Sequence, residues 1–309
     1  MFIYKSISEV FHTMELSRKQ FDLLVAFAEA AGPMTQHDIE HLSGYSLETI
    51  HQTVKDLWAM GYLADNTITQ SGLQALEPYR VKRAIFIAAG FGSRLAPITF
   101  NTPKPLVRVH GKRIIDGLID ACLEAGITDI TIVRGYLAEQ FDQLLYKYPM
   151  IRFLENPNYN EANSISSSMC ARTMLSNAYV FEGDLFIKNP KIIKKYHYTS
   201  DFLAFKKDRT DDWCFTVENG IITGEKVGGL DCWQVVGISY WNEEDGHKLA
   251  ADIPDAFASP GGKELFWEQV PLLSHREHYR VEICPCLEED IVEIDTFREL
   301  KAIDKAYDV

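Results

Sequence analysis

Residues 81–90 read VKRAIFIAAG, an apolar run that stops at a glycine. A half-exposed strand would alternate, and a surface helix would keep a polar face. An unbroken short run of this kind belongs to a strand buried on both faces, which implies a parallel sheet covered by helices on each side. The residues that follow keep to that plan. Ile114, Ile115, Leu118, Ile119 and Cys122 share one helical face, and TDITIVRG reads as a second strand. A helix over Leu137, Phe141, Leu144 and Leu145, a strand at IRFLEN and another at AYVFEGD come next. Strand and helix alternating at this spacing predict an α/β fold, with a doubly wound, Rossmann-like sheet over residues 81–309. After about residue 200 the pattern turns to hairpin-like pieces around Asn219-Gly220, so the sheet is expected to be mixed.

Residues 1–80 have a different texture and are expected to form a separate domain. Ser17 is placed to cap a helix with Phe21, Leu24, Val25 and Ala28 on one face, ended by Gly32 and Pro33. Thr35 caps a short second helix reaching to near Gly44. Ser46 caps a third, with Ile50, Val54, Leu57 and Trp58, stopped by Gly61. YLADNTIT reads as a small hairpin about Asp65-Asn66, and Ser71 begins a last helix that ends before Pro78. Helices followed by a β-wing resemble a small winged helix-turn-helix domain of the MarR-like kind, whose third helix enters a DNA groove. Here that helix carries Lys55 against Glu48 and Asp56, and residues 1–80 hold five Lys or Arg against ten Asp or Glu. A DNA reader needs a basic face. The expectation is therefore a packing, dimerisation or regulatory module, and DNA is not the expected partner.

Composition narrows the rest. A net charge of −13 over 309 residues opposes binding to nucleic acid or acidic membranes, yet leaves room for a nucleotide enzyme whose phosphates meet a few local cations. The six cysteines, at 122, 170, 214, 232, 284 and 286, contain no CxxC pair of zinc-site spacing, so they are read as packed thiols. The first 20 residues lack the apolar stretch of a leader, and no run of about 18 apolar residues occurs. The expected location is the cytoplasm, with no membrane contact; a homodimer is left open.

The segment AAGFGSRLAPITFNTPKPLVRVHGK, residues 88–112, carries the chemistry. Gly90 and Gly92 allow a tight turn that approaches a ligand, and amides along Ala88, Ala89, Phe91 and Ser93 are available to phosphate oxygens. Arg94 suits two-pronged phosphate binding, while Lys104 is a compact charge fixed between Pro103 and Pro105. Leu95 stands where a Rossmann fingerprint needs its third glycine, and no GK[ST] follows, so the loop is neither of those motifs. The string G-x-G-S-R-L-x-P-x-T-x-x-x-P-K-P-L closely resembles the signature of the nucleotidyltransferases that activate sugar phosphates and phosphocholine. That resemblance implies that the glycine loop, Arg94 and Lys104 hold a nucleoside triphosphate and its departing pyrophosphate.

Asp184 ends the AYVFEGD strand, at the sheet edge where such folds place ligands, and Asp295 lies in IVEID. The resemblance implies that one aspartate of each kind holds a catalytic Mg²⁺. As turn formers, Asp184 would shape a bend and Asp295 would cap the last helix.

Residues 83–304 also resemble the bacterial CTP:phosphocholine cytidylyltransferases, through VRGYLAEQFD, NPNYNEANSISSS, TDDWCF, VVGISYW, ELFWEQV and IVEIDTFRELKAID. What the likeness implies is transfer of CMP from CTP to phosphocholine, giving CDP-choline and pyrophosphate. Gly135 and Tyr136 would border the nucleotide, and Asn163 and Ser164 would contact it at a helix start or simply cap that helix. Trp213, Tyr240, Trp241 and Trp267 would cage a quaternary ammonium through their ring faces, with Glu268 nearby, or else pack as core. Lys206 would meet the incoming phosphate or lie solvated at a strand end. Rival readings are a cytidylyltransferase for 2-aminoethylphosphonate or phosphoethanolamine, a sugar-1-phosphate nucleotidyltransferase, and a transcription regulator with a nucleotide-sensing half.

Overall fold

A computed structural model describes residues 15–30, 32–35, 38–40 and 44–308. The chain divides into two compact units, Met1–Arg80 and Val81–Val309.

In the first unit, α1 (Arg18–Glu29) opens with a capping box between Ser17 and Gln20. Phe21 and Leu24 are buried as the periodicity predicts, but Leu23 and Phe27 join them while Val25 and Ala28 are half-buried. Part of the expected second helix lies outside the described residues; residues 38–40 are helical. Helix α2 (Leu47–Ala59) is capped by Ser46 and buries Ile50, Thr53, Val54 and Leu57. Trp58 is half exposed, because it sits about 100° round the helix from Leu57. Strands β1 (Leu63–Ala64) and β2 (Thr67–Ile68) pair about Asp65 and Asn66, both at positive φ as a tight hairpin turn requires. The last helix, α3 (Gln70–Leu76), starts earlier than expected, because Thr69 supplies the capping oxygen to the Gly72 amide at 3.1 Å.

The second unit is built on a mixed sheet. Its strands are β3 (Arg83–Ala88), β6 (Asp129–Arg134), β7 (Arg152–Glu155), β8 (Ala178–Glu182), β10 (Asp201–Glu218), β11 (Ile221–Trp241) and β12 (Glu282–Pro285). They run in the order β10-β12-β11-β8-β3-β6-β7, with β10 also paired to β11. The neighbours of β3 are parallel to it on both sides, and β11 joins β8 antiparallel. Small ladders form between β4 (Arg108–Val109) and β5 (Lys112–Arg113), and between β9 (Leu185–Ile187) and β13 (Ile291–Glu293). Strands β10 and β11 form one long hairpin turning at Asn219 and Gly220, both at positive φ.

The apolar run is central for the expected reason. Ala84 and Phe86 face a core containing Ile115, Leu118 and Ile119 of α4 (Ile114–Glu124). Ile85 faces the opposite core, with Ile165 and Ala171 of α5 (Ile165–Ala171) and Leu249, Ile253 and Ala256 of α6 (Glu243–Ala258). Residues 138–146 coil as a 3₁₀ run entered through Leu137 at positive φ, where sequence predicts an α-helix; Phe141 and Leu144 are buried and Leu145 is exposed. A final helix, α7 (Phe297–Ile303), closes the unit. The six cysteines are free, and among the described residues no helix is long and apolar enough to cross a membrane.

Phe86 is fully buried in the interior strand β3 and stacks on Phe181 at 4.7 Å. Phe86→Ala should therefore cost about 3–5 kcal/mol in denaturant unfolding; a loss below about 1 kcal/mol would mean that β3 does not carry the core.

Candidate active site

A cavity of about 700 Å³ opens at the carboxyl ends of β3 and β8. In open α/β sheets this is where chain direction diverges and loops leave a crevice. Residues 88–94 and Lys104 form one wall. Gly92 has φ +60°, and a Cβ there would come within 2.9 Å of Lys104 Cβ, so glycine is required for both conformation and space. A Cβ on Gly90 would meet nothing within 4 Å, and that side of the loop borders the cavity. The Thr99 hydroxyl donates to the Gly92 carbonyl at 2.9 Å and holds the turn. Phe91, nearly half exposed, leans on Tyr136 and Tyr159.

Gly135 and Tyr136 are not in the lining. Tyr136 donates its amide to the Ala89 carbonyl at 3.0 Å and its hydroxyl to the Thr99 carbonyl at 3.0 Å, so it braces the loop from behind. A Cβ on Gly135 would strike the Tyr159 ring at 2.7 Å.

The floor is electrostatic. Lys104 Nζ lies 2.6 Å from Asp184 Oδ2 and 2.9 Å from Asp295 Oδ1. Arg94 reaches Asp295 Oδ2 at 2.8 Å from a largely exposed position, where solvent screens it. Asp184 and Asp295 are far apart in sequence and meet because β9 pairs antiparallel with β13, Leu185 opposite Glu293. The Ile294 amide then donates to the Asp184 carbonyl at 3.4 Å. Thr296, not Asp295, caps α7 through a box with Glu299, which leaves the Asp295 carboxylate to the cavity.

Burial opposes the charge on Lys104, but Asp184 and Asp295 outweigh it and hold the ammonium above the ordinary lysine value. Burial likewise works against ionised Asp295, yet Lys104 and then Arg94 keep its carboxyl below the usual range. Glu182 and Glu293 go the other way. Burial pushes both well up, helped by Glu268 and Asp184 for the first and by Asp184 and Glu182 for the second.

Sequence reasoning passed over Glu182 and Glu293. The signal was present: each stands two residues before an expected acid, in E-G-D and E-I-D. Oxygens of Glu182, Asp184 and Glu293 lie within 4.8 Å of one another, and Asp184 Oδ1 is buried with no partner. Carboxylates clustered with a free buried oxygen suit a hard divalent cation. Lys104 and Arg94 alone do not balance the acids of the floor, which leaves room for such a counter-charge.

The expected ammonium cage does not form as drawn. Trp241 and Trp267 are buried, packed edge to face at 5.8 Å, and the Trp241 indole donates to the Ser239 hydroxyl at 2.9 Å. Tyr240 is fully buried and donates to Asn177 Oδ1 at 3.2 Å. Trp241 and Trp267 serve the core beneath α6 and Tyr240 the core on the opposite face of the sheet, where their apolar area is worth most. Trp213 is half-buried and meets the edge of Phe266 at 6.0 Å; Phe266, not Trp213, lines the cavity. Lys206 is exposed, pairs with Asp231 at 3.3 Å and lies outside the lining. Glu268 is also outside it; its Oε2 is buried without a partner, and burial, then Glu225 and Glu293, push its carboxyl up to about 8.

Asn163 and Ser164 line the cavity, but their side chains have protein partners. Asn163 Nδ2 donates to the Glu264 carbonyl at 3.1 Å, and Ser164 Oγ accepts from the Trp267 amide at 3.0 Å.

Known proteins resemble this chain. The nucleotidyl transferase family model matches residues 83–202. A 2-aminoethylphosphonate cytidylyltransferase from Lancefieldella rimae is 37% identical over 228 residues, 72% of this chain and 92% of the relative. A choline-phosphate cytidylyltransferase from Streptococcus pneumoniae is 33% identical over 193 residues, 61% of this chain and 82% of that protein. The solved structure of a CTP:phosphocholine cytidylyltransferase from Streptococcus pneumoniae superposes with a TM-score of 0.67 at 29% identity, covering 74% of this chain and 99% of that one. With its glycine loop, signature lysine and paired strand-end acids on one cavity, and with a relative matched over nearly its whole length, the chain belongs to the nucleotidyltransferase family.

Proposed function

We propose that this protein is a Mg²⁺-dependent cytidylyltransferase that moves CMP from CTP to a small phosphonate or phosphate ester bearing an ammonium group, with release of pyrophosphate. The observation that carries it is Lys104 between Asp184 and Asp295, beside the glycine loop. In the loaded enzyme, residues 90–94 wrap the triphosphate, and Arg94 and Lys104 neutralise the pyrophosphate as it departs. Asp184, with Glu182, Glu293 or Asp295, would hold the Mg²⁺, which supplies charge neutralisation at the phosphates. The acceptor oxygen is already anionic at neutral pH, so no general base is needed, and the protein contributes placement and fixed charge.

For the acceptor, 2-aminoethylphosphonate comes first. Trp241 and Trp267, expected around a quaternary ammonium, are enclosed, whereas Glu161 and Glu264 stand on the cavity wall, where a primary ammonium would find carboxylates. The likeness to the Lancefieldella rimae protein points the same way. Phosphocholine is the second reading, favoured by Phe266 on the wall with Trp213 against its edge. The first unit, with Lys55 flanked by acids on α2, fits a winged-helix-like packing or regulatory module better than a DNA reader.

Lys104→Met, which keeps the bulk of the stem, should lower kcat about 100-fold or more, as loss of a preorganised charge does. It should also lower stability by roughly 3–5 kcal/mol, since two part-buried carboxylates lose their cation. Turnover near wild type would remove Lys104 from the chemistry. Asp184→Asn should abolish Mg²⁺-dependent pyrophosphate release, and a fully active variant would require a different ligand set. A panel crossing CTP, UTP, ATP and GTP with 2-aminoethylphosphonate, phosphoethanolamine, phosphocholine and glucose-1-phosphate should give the highest kcat/KM for CTP with 2-aminoethylphosphonate. A preference for the sugar phosphate would overturn the acceptor class.

A further inference from the structure

Two walls of the cavity come from distant parts of the chain and are stitched together at one place. On the β7 side, Asn156 follows the strand and donates to Ser166 Oγ at 2.9 Å and Ser167 Oγ at 3.0 Å. Ser166 Oγ in turn donates to the Asn163 carbonyl at 2.8 Å. On the other side, the loop 263–267 brings Glu264 and Phe266 to the cavity. Its start is pressed against α6: a Cβ on Gly262 would lie 1.9 Å from the Ala256 carbonyl oxygen.

Between the walls run four hydrogen bonds. The Asn163 amide donates to the Lys263 carbonyl at 2.7 Å and the Ile165 amide to the Leu265 carbonyl at 3.4 Å. Asn163 Nδ2 donates to the Glu264 carbonyl at 3.1 Å, and the Trp267 amide donates to Ser164 Oγ at 3.0 Å. The last two need the side chains. Asn163 Oδ1 is also occupied, accepting from the Ser164 amide at 2.8 Å, so the amide group is held in one orientation.

We infer that Asn163 and Ser164 are positioning residues that tie the loop bearing Glu264 and Phe266 to the wall bearing Asn156, so that acceptor and nucleotide meet at a fixed separation. This rests on the cytidylyltransferase reading for the identity of the two ligands, but not for the tie itself. Asn163 Nδ2 and Ser164 Oγ each hold the loop directly, and Asn163 Oδ1 fixes the side chain that does so.

The test uses the full chain with Asn163→Ala, Ser164→Ala and Ser164→Thr, the last retaining the hydroxyl. Removing one such bond should raise the acceptor KM about tenfold and leave the CTP KM within about twofold, with Ser164→Thr close to wild type. Independently of turnover, the Trp267 amide should exchange its hydrogen about tenfold faster in Ser164→Ala. Acceptor and CTP KM rising together, or an unmoved acceptor KM, overturns the positioning role. Unchanged exchange at Trp267 overturns the tie. If the wild type releases no pyrophosphate with any pair in the panel, the cytidylyltransferase reading fails, and the exchange measurement still decides whether these residues hold the loop.

Discussion

The Lys104 ammonium sits between two carboxylates, 2.6 Å from Asp184 and 2.9 Å from Asp295. One acid follows β8 by two residues, between β8 and β9, and the other follows β13 by two residues. A part-buried cation satisfied on both sides is strongly favoured, while either acid alone beside Glu182 and Glu293 would be opposed by like charge. The turn at Gly92 presses directly against the Lys104 stem. The glycine-loop wall, the acid floor and the segment following β13 are therefore fastened at a single side chain.

That arrangement also explains the electrostatic character of the cavity. Four carboxylates gather where a nucleotide enzyme must receive a tetra-anion. Two of them, Glu182 and Glu293, are pushed toward the neutral form by burial and by their neighbours. Such a floor suits a multivalent cation arriving with its ligand, because bound charge of the opposite sign offsets the penalty on the ionised carboxylates.

The aromatic residues show how weak composition is as a guide to a binding surface. Trp241 and Trp267 lie in segments that resemble a phospho-amine enzyme, yet their side chains fill the core under α6. A strand alternates its faces, so Trp241 one residue from Tyr240 looks to the opposite side, and both sides of this strand are buried. Phe266, in a loop and over a third exposed, is the ring that borders the cavity instead.

Much of this protein was legible in its residues. The unbroken apolar run required a strand covered on both faces, the Asn-Gly and Asp-Asn pairs marked hairpins, and Gly90 and Gly92 marked a tight turn, which packs against Lys104. Local chemistry sufficed there, because each signal acts through neighbours a few residues away. Tertiary structure alone decided the remainder: that β9 pairs with β13 and brings Asp184 to Asp295, that Glu182 and Glu293 join them, and that Asn163 Nδ2 and Ser164 Oγ bond to the loop 263–267. Those outcomes depend on strand pairing and loop closure between segments 100 or so residues apart, for which a linear pattern contains no distance.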